Sequence, residues 1–136
     1  MEGRCHNSGP GCARQSTAPP HGASFDYDRS LARLGGDPEL FAEIVVLFLE
    51  DAPQLLTRAR DGLNQRNLRE LERAAHSLKG LSVNFDALQL VSAASSMEQM
   101  AREQDLERAA ACFPDLEREF GQLQTELQAF RDSLQR

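Results

Sequence analysis

NLRELERAAHSLKGLSVNF, residues 67–85, is the stretch on which the fold turns. Its core-type side chains recur at intervals of three and four, through Leu68, Leu71, Ala75, Leu78, Ser82 and Phe85. That is the period of one buried helical stripe, without the alternation of a strand. The spacing predicts a helix from about Asn67 to Asn84. On a wheel of 3.6 residues per turn, Leu68 to Ser82 of this stripe gather within about 80° of one another, whereas His76 lies roughly 140° from Leu71.

The same period extends in both directions. A short helix is expected from about Asp28 to Leu34, stopped by Gly35-Gly36. Asp37 is placed to cap the next, with Pro38 at its first position and Glu39 in its first turn. That helix should bury Phe41, Ile44, Val45, Phe48, Leu55, Leu56 and Ala59, bend near Leu49 because of Pro53, and end near Gly62. A fourth helix, from about Ala87 to Arg102, uses Leu90, Val91, Ala94, Met97 and Ala101. The last, from Asp105 to about Leu134, carries Phe113, Leu116, Phe120, Leu123, Leu127, Phe130 and Leu134, with Pro114 expected to kink or restart it. Four long amphipathic helices with short connections predict an all-α fold: an antiparallel four-helix bundle with a short extra N-terminal helix over one end.

Composition sets the limits of that bundle within the 136 residues. Residues 1–24 contain four Gly, three Pro and three Ser, and no Leu, Ile, Val or aromatic residue. They cannot bury enough apolar surface to offset the entropy of ordering, and are read as a disordered tail or linker ahead of a bundle spanning 25–136. Net charge is −6, and since Arg4 and Arg14 outweigh Glu2 in the tail, the body carries −7. An acidic body without a basic stripe argues against nucleic acid as a partner. No apolar run is long enough to span a membrane, and the N-terminus lacks a signal-peptide core, so the expected location is cytoplasmic. Three cysteines form no disulfide framework, and Cys112 reads as a small core residue. Cys5, His6, Cys12 and His21 have no metal-finger spacing, so no metal is expected there.

The face that His76 shares with Lys79 and Gly80 carries the chemistry, because residues at i, i+3 and i+4 are neighbours on a helix. Lys79 is the only lysine in a chain with fourteen arginines. A mid-helix glycine costs about 1 kcal/mol relative to alanine, which makes sense at Gly80 if another molecule must approach the backbone. A neutral imidazole is a nucleophile near neutral pH and can accept a phosphoryl group, and an adjacent ammonium can neutralise the phosphoryl oxygens. No Ser, Cys or carboxylate is spaced to make His76 part of a hydrolase. His76 with Glu72 alone is too few ligands for a metal site.

The run Ala75-His76-Ser77-Leu78-Lys79-Gly80, followed by Ser82, Asn84, Phe85 and Ala87, resembles the histidine phosphotransfer (HPt) domain. Phe48-Leu49-Glu50-Asp51-Ala52-Pro53 is similar to that family's second helix and Met97-Glu98 to its fourth, so the resemblance covers about residues 28–134. It implies a phosphorelay intermediate in which His76 takes a phosphoryl group from one receiver-domain aspartate and passes it to another. It also implies Lys79 as the phosphate-stabilising neighbour and Glu98 as a group near the other ring nitrogen, with Gly80, Ser82 and Val83 permitting docking. Partners would be receiver domains of response regulators or of a hybrid sensor histidine kinase. The resemblance further implies a monomer with no cofactor of its own, Mg²⁺ being held by the receiver, and no ATP-dependent kinase activity. Glu98 could equally be a solvated helix charge. Where the family usually has glycine the chain has Asp86, which must adopt the turn at some cost or cap the fourth helix. The alternative function is a helical interaction or adaptor module without phosphoryl transfer.

Overall fold

Asp26, Asp37 and Asn67 each turn a side-chain oxygen back onto backbone N–H groups ahead of them, and a helix begins at each of these points. Such caps satisfy donors that the first turn of a helix would otherwise leave unpaired. The computed structural model describes residues 25–134, in which five helices follow one another: α1 (Tyr27–Arg33), α2 (Pro38–Asn64), α3 (Leu68–Val83), α4 (Leu88–Arg102) and α5 (Leu106–Leu134). No strand is present among the described residues. The tail expected over residues 1–24 lies outside them.

Helices α2 to α5 form the four-helix bundle, each packing against its neighbours in sequence, with α2 and α5 closing the ring. The core is built from the expected stripes: Phe41, Val45 and Phe48 of α2, Leu71 and Leu78 of α3, Leu90 and Met97 of α4, and Leu116, Leu123 and Leu127 of α5 are almost fully buried. Ile44, Leu55 and Val91 sit at its edges and are only half-buried. α1 covers one end. Its N-terminal approach is pinned by the Asp26 amide, which donates to the Phe85 carbonyl at 3.1 Å. Beneath it Phe41 meets Phe25, Tyr27, Phe85 and Phe130 with ring centroids 5.1–6.3 Å apart, mostly edge to face. Pairs of this kind add about 0.5–1.5 kcal/mol each beyond the area they bury.

Two expectations are refined by the structure. α2 ends at Asn64, two residues past Gly62, and the chain turns through Arg66 with a left-handed φ of 59°. Gly62 is a contact glycine: a Cβ there would stand 3.0 Å from the Leu71 amide nitrogen and 3.1 Å from the Asn67 carbonyl oxygen, so the backbone of α3 would have to give by a few tenths of an ångström. α5 is one continuous helix through Pro114, with no restart. Cys112 is buried in the core, as expected of a small core residue.

Asp86 takes the turn option and does not cap α4, whose N-cap is Ala87 and which has no side-chain cap. Its φ is 48°, a conformation that costs an L-residue roughly 1–2 kcal/mol. The offset comes from α1. Arg33 hydrogen-bonds Asp86 Oδ1 and the Arg29 Nε lies 3.5 Å from Oδ2, on a carboxylate only 9% exposed. α1 is thereby tied to the turn between α3 and α4.

Candidate functional site

α3 places His76 on its outer face, on the side nearer α4, and leaves the imidazole 67% exposed. Across the α3–α4 seam stands Glu98, whose side chain is only 7% exposed. On α4 it follows Ala94 by one turn and so lies at the margin of the buried stripe. A buried carboxylate needs partners, and three cations or donors converge on this one. His76 Nδ1 is 2.9 Å from Oε2, Lys79 Nζ donates to Oε1 at 2.8 Å, and Arg102 Nη2 donates to Oε2 at 2.8 Å. Arg102 is itself steadied by a 3.2 Å hydrogen bond from Nε to Glu72. The reading of Glu98 as a solvated charge is therefore set aside. Glu72 is an anchor for Arg102.

Burial alone would push the Glu98 carboxyl up, but hydrogen bonds from Lys79 and His76, together with their charges, outweigh it and hold the pKa below the ordinary glutamate value. Glu98 is thus a carboxylate, an acceptor only, at neutral pH. It can accept from Nδ1–H of His76, which fixes that tautomer and leaves the Nε2 lone pair free. The neighbouring Lys79 ammonium is held three residues on, where it shares the face.

The remaining predicted residues separate. Gly80 is exposed on α3, and a Cβ at this position would meet nothing within 4 Å, so no contact inside the protein requires glycine there. Val83, 39% exposed, continues the face, and Leu88 at the start of α4 is 68% exposed. Ser82 is a correction: it is fully buried, with Oγ donating to the Leu78 carbonyl at 2.7 Å, and offers no atom to a partner. Its position on the Leu71–Leu78 stripe already marked it as core. Arg102 was missed altogether. Its signal was its place four residues after Glu98, the spacing of a helical ion pair.

Below His76, toward the start of α3, an open cleft of about 650 Å³ is bordered by Arg58 of α2, Arg69 and Arg73 of α3, and the Glu98–Arg102 pair of α4.

The chain matches the Hpt domain family over residues 43–133. Its fold matches the crystal structure of histidine-containing phosphotransfer protein B (HptB) from Pseudomonas aeruginosa PAO1, at 30% sequence identity and a TM-score of 0.74, over 85% of this chain and 98% of that one. No curated protein matches it in sequence. With a match across well over half its length, the chain belongs to the Hpt domain family.

Proposed function

We propose that this protein is a phosphorelay intermediate in which His76 Nε2 accepts a phosphoryl group from the aspartyl phosphate of one receiver domain and delivers it to the aspartate of another. The observation that carries this reading is the buried Glu98 carboxylate on His76 Nδ1, opposite a ring nitrogen left open. Nε2 attacks phosphorus in line with the aspartyl oxygen. The N–P bond forms as the P–O bond breaks, and the receiver's aspartate leaves with the electron pair. Nδ1–H stays on the ring throughout, and its developing positive charge faces Glu98. Lys79 can turn from Glu98 Oε1 to the phosphoryl oxygens, because Arg102 still balances the carboxylate. Return transfer reverses each step.

Gly80 lets the receiver's site close over His76, and exposed Val83 gives it an apolar contact. In this reading Mg²⁺ belongs to the receiver, the chain needs no cofactor, and it has no ATP-dependent kinase activity of its own. It works as a monomer over residues 25–136, in the cytoplasm where ATP ultimately supplies the phosphoryl group.

The test is incubation with radiolabelled phosphorylated receiver domains beside a His76→Gln variant. Acid-labile, base-stable label on the unmodified protein alone is expected. Failure to label from any of a broad panel of receivers would leave the helical interaction module as the better account.

A further inference from the structure

We infer that the arginine-lined cleft over α3, bordered by α2 and α4, seats an acidic surface segment of the receiver domain that exchanges phosphoryl groups with His76. The inference rests on the relay reading above and names which part of the partner the site must fit.

The chain is acidic overall, at −6. Most arginines elsewhere among the described residues are committed to carboxylates: Arg29 and Arg33 to Asp86, Arg60 to Glu117, Arg102 to Glu72 and Glu98, and those of α5 to neighbours on or near it, with Arg66 in the turn between α2 and α3 the exception. Arg58, Arg69 and Arg73 are the contrast. All three are exposed, all three border the cleft, and none has an ion pair among the described residues. Arg69 and Arg73 are four apart on α3, a spacing at which like charges disfavour the helix. The bordering carboxylates do not relieve them, since Glu72 and Glu98 are both taken by Arg102 and only Glu70 remains. Free of a partner, this is an unneutralised patch on an otherwise acidic molecule.

The cleft opens on the imidazole, with His76 and Ser77 among its bordering residues. A protein that brings an aspartyl phosphate to Nε2 therefore overlies it. The chemistry of that partner supplies the complement: a site that holds Mg²⁺ beside an aspartate is built from carboxylate oxygens. Carboxylates bordering such a site meet Arg58, Arg69 and Arg73, and the fork of each guanidinium suits them. Such pairing speeds encounter and selects among partners.

The test compares two triple variants of equal charge change. One is Arg58→Gln, Arg69→Gln, Arg73→Gln; the other, on α5, is Arg108→Gln, Arg118→Gln, Arg131→Gln. Helical content by circular dichroism verifies folding of each. The substrate is whichever acetyl-phosphate-charged receiver domain transfers fastest to the unmodified protein, and phosphoramidate serves as a donor that needs no docking. The cleft variant should raise KM for the receiver by about tenfold or more, with kcat little changed and the salt dependence flattened. The α5 variant should stay within about twofold of the unmodified protein, as expected of exposed pairs. Both should be labelled by phosphoramidate at the normal rate. Equal KM values for the two variants, with normal phosphoramidate labelling, would overturn the cleft as a docking site and leave the relay standing. No labelling of the unmodified protein by either donor would overturn the relay reading and the cleft with it.

Discussion

Replacing Gly80 by alanine should make the protein more stable and less able to transfer phosphoryl groups. Gly80 lies in the interior of α3, where alanine is favoured by about 1 kcal/mol. The added methyl would meet nothing within 4 Å, so no steric term opposes that gain. For a domain of this size, 1 kcal/mol corresponds to a rise of roughly 4 °C in Tm. On the helical wheel Gly80 points about 180° from Leu71, straight out of the bundle. A receiver closing over His76 would meet the new methyl first. A displacement of about 1 Å in the reacting geometry can cost up to a hundredfold in rate, so transfer from a receiver should fall between about tenfold and a hundredfold. Two further glycines calibrate the measurement. Gly121 of α5 also has open space at its Cβ position, so Gly121→Ala should gain similar stability and transfer normally. Gly62→Ala should lose stability, because crowding against the Leu71 amide and the Asn67 carbonyl costs about 1–3 kcal/mol, more than the helix gains. Thermal melts and receiver-transfer rates on the three variants suffice. A Gly80→Ala protein that transfers at the normal rate would refute the reasoning, as would one that melts lower.

Glu98 gives a pH signature: its lowered carboxyl adds stability that is complete above the ordinary value of 4.5 and is lost as pH falls through the lower folded value. Melting temperature should therefore fall more steeply below that pH in the unmodified protein than in Glu98→Gln, and parallel curves would remove the carboxylate from the account. Asp86→Ala should lose about 1–2 kcal/mol in urea unfolding, since it keeps the left-handed backbone and gives up both arginine contacts. Asp86→Gly, freed of that backbone cost, should fall within about 1 kcal/mol of the unmodified protein; equal losses in the two would contradict the latch. Ser82→Ala should cost about 1 kcal/mol or less and leave transfer unchanged, whereas Val83→Asp should weaken receiver binding at normal stability. The opposite ranking in a binding assay would place docking elsewhere.

The long helices were legible because each is amphipathic and, α4 apart, begins at a residue able to cap it, as Asp37 and Asn67 do. The face of His76, Lys79 and Gly80 was legible for the same reason: helical spacing alone brings them together. Glu98 was only half legible. Its motif resemblance suggested a place near the imidazole, but its burial depends on how α4 meets α3, and no local pattern encodes that. Gly62 read as a helix end because glycine usually serves there, whereas its actual reason is the backbone of α3 passing close by. Asp86 was the least legible. The hydrogen-bonding partner of its side chain, Arg33, lies 53 positions earlier in the chain, beyond any periodicity.

That pairing constrains the order in which substitutions could have accumulated. In a bundle with glycine at position 86, arginines at 29 and 33 have no anion at the α3–α4 turn to meet, and they can come and go as neutral surface changes. An aspartate arriving first would take on the left-handed backbone cost with nothing to offset it, while one arriving after the arginines would be stabilised at once. Once it is in place, neither arginine can be lost freely, since the cost of each change depends on the others. The turn beside the phosphorelay face thus works as a one-way step: easily entered through Arg29 and Arg33, and difficult to leave except through glycine.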